Sequence, residues 1–193
     1  MAVTAQGSGT KTSDIGTFTV TIASPAVFSK TNQLAAGDKV VFSTTGALPT
    51  GLTAGTTYYV ISAGLSGSAF EVSATDGGAA INTSGSQSGT HSMYTEHFLT
   101  NPNSAGTFTM HTDLNAMAAG DVIEFRIYQM VLTGGTPRVA YYAKYEGAQP
   151  TDDMIAIGIP ISNELTDTNS LRFSMLQRYG TARAVPWKVL KHA

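Results

Sequence analysis

Apolar and polar residues alternate along much of this chain, with a period of two. In Thr17-Phe18-Thr19-Val20-Thr21-Ile22 threonines alternate with Phe, Val and Ile, as in a strand with one dry face. Lys39-Val40-Val41-Phe42, Thr57-Tyr58-Tyr59-Val60-Ile61 and Ala69-Phe70-Glu71-Val72 are rich in β-branched and aromatic residues and predict further strands. Gly46, Pro49-Thr50-Gly51, Gly64, Gly67 and Gly77-Gly78 punctuate them. Strands recurring every 8–12 residues or so, with turn signals between them, predict a small sandwich or barrel.

The second half repeats the pattern more strongly. Ile123-Glu124-Phe125-Arg126-Ile127 and Leu171-Arg172-Phe173-Ser174-Met175 alternate cleanly, which predicts antiparallel sheets with one wet face. Arg138-Val139-Ala140-Tyr141-Tyr142-Ala143-Lys144-Tyr145 puts Val139, Tyr141, Ala143 and Tyr145 on one side and Tyr142 on the other. Core and interface packing is expected of these tyrosines rather than a ligand platform. Met154-Ile155-Ala156-Ile157-Gly158-Ile159-Pro160-Ile161 alternates too, with Pro160 placing it at a sheet edge. In the last strand Val185, Trp187 and Val189 share a face, and Trp187 is expected to anchor it. Residues 112–119 allow one helical turn at most. The expectation is an all-β protein of two small antiparallel β-sandwich or barrel-like domains, the first inserted near the N-terminus of the second.

Composition locates the insertion. Between Thr17 and Met93 the only charged residues are Lys30, Asp38, Lys39, Glu71 and Asp76. Charges become frequent beyond Tyr94, so a boundary falls at residues 92–94. This divides the chain into a leader over 1–16, an inserted β module over 17–93 and a scaffold domain over 94–193. A Ser/Thr/Gly-rich leader has too little apolar area to order itself, so strand addition to a neighbouring subunit is expected of it. An internal echo links the halves: Gly16-Thr17-Phe18-Thr19-Val20 precedes Leu34-Ala35-Ala36-Gly37-Asp38, and Gly106-Thr107-Phe108-Thr109-Met110 precedes Met117-Ala118-Ala119-Gly120-Asp121. Gly-Asp turn chemistry at a strand entrance accounts for it without duplication.

Charge and cysteine content narrow the function classes. The net charge is −2 and 12% of residues are charged, about half the usual share of about 25%. Nothing here forms a basic footprint for nucleic acid, and no apolar run is long enough for a membrane helix. The absence of cysteine excludes disulfides and thiolate metal sites. With no cysteine and no charged and apolar leader pattern at residues 1–7, cytosolic synthesis is expected.

The catalytic patterns are near misses. Gly85-Ser86-Gln87-Ser88-Gly89 has Gln where a nucleophile elbow needs Ser. Gly7-Ser8-Gly9-Thr10-Lys11-Thr12 lacks the ending and preceding strand of a phosphate loop. His91, His97, His111 and His192 have no metal-binding spacing, although His91 and His97 fit the two ends of one strand. Asp152-Asp153 makes a cation turn conceivable, but such turns are usually solvated. Glu96 with Asp113 or Glu124 would be the carboxylate pairs for glycoside cleavage, with no separation fixed by the sequence. The expectation is no enzyme, with no catalytic, cofactor-binding or metal-binding residue assigned.

Two sets of segments carry a resemblance. Met1-Ala2-Val3-Thr4-Ala5-Gln6-Gly7, Thr95-Glu96-His97-Phe98-Leu99-Thr100, Gly120-Asp121-Val122-Ile123-Glu124-Phe125-Arg126-Ile127-Tyr128 and Gly180-Thr181-Ala182-Arg183-Ala184-Val185-Pro186-Trp187-Lys188-Val189-Leu190 are similar to small virion structural proteins of tailed bacteriophages. Gly37-Asp38-Lys39-Val40-Val41-Phe42, Pro49-Thr50-Gly51-Leu52 and Phe70-Glu71-Val72-Ser73 resemble a β-rich repeat of phage fibres and other exterior virion proteins. The resemblance implies a structural protein on the virion exterior, most directly a capsid decoration or cement protein. The alternative is a tail-fibre, tail-tip or receptor-binding component. The implied partners are further copies of the chain as a homotrimer, the major capsid protein and, for the alternative, host-surface carbohydrate.

Overall fold

A computed structural model describes residues 2–150 and 155–192. The expected cation turn at Asp152-Asp153 lies outside the described residues. Among the described residues every regular element is a strand. In chain order they are β1 (Val3–Thr12), β2 (Gly16–Val20), β3 (Phe28–Ser29), β4 (Lys39–Thr44) and β5 (Thr57–Val60). Next come β6 (Ala69–Phe70), β7 (Val72–Ser73), β8 (His91–Thr100), β9 (Gly106–Asp113) and β10 (Val122–Gln129). The rest are β11 (Arg138–Glu146), β12 (Ile155–Ile157), β13 (Ile161–Asn163), β14 (Leu171–Tyr179) and β15 (Ala184–His192). The expected helical turn at 112–119 is a tight turn instead: the Met117 amide bonds the Leu114 carbonyl, and both side chains are buried.

The chain divides into two compact units, Met1–Thr12 with Phe98–Ala193, and Ser13–His97. The compositional break at residues 92–94 therefore falls inside a continuous strand, β8, and the division comes at its His97-Phe98 step. The backbone ladder runs on through that point, with Ser92, Met93 and Tyr94 opposite Ser43, Phe42 and Val41.

The unit of residues 13–97 is a curled sheet. Its strand order is β6-β3-β2-β8-β4-β5-β7. The two ends of that order, β6 and β7, are separated along the chain only by Glu71. One extended segment thus supplies both edges, and the sheet closes on itself, which removes exposed edges. Phe18, Phe28, Phe42, Tyr58 and Phe70 fill the interior. Phe28 stacks on Phe42 at 4.8 Å and on Phe70 at 5.0 Å between centroids, within the favoured range for aromatic pairs.

The other unit is a sandwich. One sheet has the order β1-β15-β9-β12, with β13 also on β9; the other contains β11, β10 and β14. Phe108, Met110, Val185 and Val189 of the first sheet face Ile123, Phe125, Phe173 and Met175 of the second. The leader does not await a neighbouring subunit. As β1 it pairs antiparallel with β15, from Val3 opposite His192 to Thr12 opposite Ala184. Backbone hydrogen bonds, rather than apolar area, order it. Pro160 lies where β12 and β13 break apart on the edge beside β9, so its missing N–H interrupts no ladder. The β1 edge carries a register shift between Ala5 and Gly7 and a lysine at position 11, two devices that blunt edge pairing.

Two apolar expectations are corrected. A register shift in the β10–β11 pair sets Ile127 opposite Tyr141 but Tyr128 opposite Val139, so Val139 is turned out and is 49% exposed. Trp187 is half-buried against the core and lies over Gly7 and Gly9. The fully buried anchors of the last strand are Val185 and Val189. Trp187→Ala is accordingly expected to cost about 2 kcal/mol, below the 3–5 or so of a fully buried aromatic. Chemical denaturation of the two proteins measures it, and a loss of about 4 kcal/mol or more would contradict this placement.

The echoed segments fold alike. In each, the Asp carboxylate accepts the amide of the residue three positions earlier: Ala35 to Asp38 at 2.9 Å and Ala118 to Asp121 at 2.7 Å. Each Asp amide bonds the carbonyl of that same Ala. The intervening Gly37 and Gly120 have φ of 89° and 88°, a conformation favouring glycine. This is the turn chemistry expected of Ala-Ala-Gly-Asp, delivered once to β4 and once to β10.

Candidate functional site

Three clusters of buried polar groups among the described residues centre on His97, Asp121 and Glu124. In the unit of residues 13–97, His97 is fully buried between two aspartates. Its Nδ1 lies 2.8 Å from Asp38 Oδ2, and its Nε2 accepts the Asp14 backbone N–H at 3.2 Å. An accepting Nε2 leaves the proton on Nδ1, which donates to Asp38. Asp14 Oδ2 in turn accepts the Gln33 amide at 2.9 Å. The imidazole therefore ties the first residues of this unit to its last, with no face open to solvent.

In the sandwich unit, Asp121 gathers the chain around β14 and β15. It accepts from Arg183 Nε at 2.6 Å, from the Thr181 amide at 3.2 Å and from Gln177 at 3.5 Å. Glu124 lies between two guanidinium groups, 2.6 Å from Arg126 and 2.8 Å from Arg178. Burial acts to raise its pKa, but the hydrogen bonds and charge of Arg178, with those of Arg126, outweigh it and hold the pKa below the usual value. Such a carboxyl stays ionised and makes a poor general acid. A carboxylate with a depressed folded-state pKa stabilises the fold above its unfolded pKa, and that stability is lost as pH falls through the folded value. Stability of the sandwich unit is therefore expected to fall below about pH 4.5, and Glu124→Gln should flatten that slope. Urea denaturation across this range is the check; parallel profiles for the two proteins would refute it.

The residues singled out from sequence are dispersed. Asp113 caps the amide of Asn115 at 2.9 Å, and Glu96 is held by Lys39 at 3.5 Å. His91 and His97 do occupy one strand, β8. His111 lies beside Lys188 and His192 on the sandwich unit; burial, then the electrostatic influence of these two neighbours, pushes its pKa down. Tyr141 and Tyr145 pack on the core, and Tyr142 is exposed beneath Arg126. The phosphate-loop look-alike at Gly7-Ser8-Gly9-Thr10-Lys11-Thr12 is extended strand, part of β1. Among the described residues no group of three or more His, Asp or Glu is placed to hold a metal ion.

What the sequence reading missed is a groove on the unit of residues 13–97. Strand β2 changes partners along its length: Gly16 to Phe18 pair with β8, whereas Thr19 and Val20 pair with β3. Beside that switch lies a cleft of about 560 Å³. Its floor carries Thr17, Thr19 and Ser29, and its wall is the 87–90 loop. The wall is built by a relay of hydrogen bonds. Gln87 Nε2 donates to the Val20 carbonyl at 2.9 Å, which leaves Gln87 Oε1 to accept His91 Nε2–H at 3.1 Å. His91 Nδ1 then accepts the Thr44 hydroxyl at 2.8 Å. Gln87 thus occupies the carbonyl that β8 leaves unpaired. The alternating Thr17 and Thr19 were visible in the sequence; the strand switch that makes a cleft of them was not.

Protein families, curated proteins and solved structures gave no match to this chain.

Proposed function

We propose that this chain is a structural protein of the exterior of a tailed-bacteriophage virion, most directly one that decorates or cements the capsid. The observation that carries the reading is where the resembling segments lie. Residues 3–12 and 184–192, far apart in sequence, pair as β1 and β15 in one unit, and the resembling segment at β10 belongs to the same sandwich, while Thr95-Glu96-His97-Phe98-Leu99-Thr100 spans the division at His97-Phe98. In this reading the scaffold is one unit interrupted by a second. Val131, Leu132, Ile155, Ile157 and Tyr179 are exposed on the sandwich unit and leave apolar side chains available for association. The partners in this reading are other copies, threefold by the resemblance, and the major capsid protein. Immunogold labelling and copy number on purified particles test it. Hundreds of copies over the head fit decoration; absence from particles overturns it.

The alternative, a tail-fibre, tail-tip or receptor-binding component, is favoured by the groove of the unit of residues 13–97. In that case only a handful of copies, at the tail, would be counted.

A further inference from the structure

We infer that the cleft between β2 and the 87–90 loop binds a neutral saccharide; its biological setting rests on the receptor-binding reading above. Three observations converge on this ligand class. The first is charge: none of the residues around the cleft is an acid, a lysine or an arginine. A phosphate, a carboxylate or an amine would find no ionic partner there, whereas such ligands are normally held by charged side chains or dipoles.

The second is the state of the polar groups. The hydroxyls of Thr17, Thr19, Ser29 and Thr90 are exposed and have no hydrogen-bond partner among the described residues. Each offers one donor and two acceptor positions. The amide and imidazole beside them are spent: both polar atoms of Gln87 and both ring nitrogens of His91 are engaged in the wall. What remains for a ligand is a set of neutral groups able to donate or accept, matching the donor-acceptor character of sugar hydroxyls.

The third is pre-organisation. The wall is tied to the strand behind it by bonds from the Thr90 amide to Thr45 Oγ1 at 2.9 Å and from the Ala47 amide to the Ser88 carbonyl at 3.0 Å. Gly89 and Gly46 touch backbone to backbone, and a Cβ on Gly89 would stand 2.6 Å from the Gly46 nitrogen. The floor hydroxyls project from paired β-strands, so little ordering is left to binding. A volume of about 560 Å³ falls within the size range of small-molecule sites.

The test uses the full chain, labelled with ¹⁵N and titrated with lactose, maltose and chitobiose. The expected result is saturable shifts of the Thr17, Thr19, Ser29 and Thr90 amides by at least one of them, with a dissociation constant of about 1 mM. The double variant Thr17→Val, Thr19→Val keeps shape and strand propensity and removes two hydroxyls. It should weaken binding about tenfold or more, while its spectrum reports that the fold is intact. Ser29→Ala, on the neighbouring strand, should weaken it independently. No shift at these amides with any of the three sugars overturns the inference, as does undiminished binding by the valine variant. Failure here leaves decoration of the head untouched. Sugar binding by a protein absent from particles would sink the virion reading alone.

Discussion

Asp38→Ala should destabilise the unit of residues 13–97, and Asp121→Ala the sandwich unit, each by about 3–5 kcal/mol. The two positions are equivalent in local structure. Each carboxylate closes an Ala-Ala-Gly-Asp turn, each is 1% exposed, and each reaches a cation-capable partner distant in sequence. Asp38 takes the Nδ1 proton of buried His97; Asp121 takes Arg183 together with the Thr181 amide. Truncation leaves those donors unsatisfied in the interior, a larger penalty than losing one surface ion pair. The partners differ in depth. His97 has no solvent access, whereas the Arg183 side chain is 27% exposed. Arg183 is therefore able to recover some hydration, and Asp121→Ala belongs at the lower end of the range. Amide hydrogen exchange resolves the effect by segment. Protection should collapse in β4 and β8 for Asp38→Ala and in β10 and β14 for Asp121→Ala. A cost below about 1 kcal/mol in both would mean that these turns hold without their caps.

The strands were legible because alternation and packing agree. Phe18, Val20, Val40, Phe42, Ile123, Phe125, Phe173 and Met175 are all inside, as a period of two requires. The failures have physical causes. A leader poor in apolar residues gave no hydrophobic periodicity, yet its backbone pairs with β15 because an open ladder needs donors and acceptors rather than side-chain area. A single-residue register shift turned Val139 outward, and nothing in the pattern of β11 announced it. The groove escaped notice because it arises from a change of strand partners, a property of pairing rather than of composition. The buried trio of His97, Asp14 and Asp38 also gave no signal, since its members are spread across the inserted unit and are joined only by the fold.

Removing residues 13–97 and joining Thr12 to Phe98 through a short glycine-serine linker should leave a cooperatively folding sandwich. Its core, from Phe108 to Val189, draws on no residue of the excised segment. The pairings of β1 with β15, β15 with β9, and β10 with β11 and β14 lie wholly within the retained residues. The cut ends are within reach. Thr100 Oγ1 donates to the Gln6 carbonyl at 3.1 Å, and a Cβ at Gly7 would stand 3.1 Å from Thr100, so the two flanking strands touch a few residues from the cut. About six linker residues span up to roughly 20 Å at about 3.3–3.6 Å each. The excised unit is likewise self-contained: Asp14 near its start and His97 at its end are bound to each other, and its aromatic interior is closed by the β6–β7 segment. It should fold when expressed alone as residues 13–97. Far-ultraviolet circular dichroism and urea titration of the two proteins read the outcome. A sandwich that melts without cooperativity, despite an intact inserted unit, would mean that residues 13–97 supply part of its stability. The closing of each unit around its own Gly-Asp turn would then not make it independent.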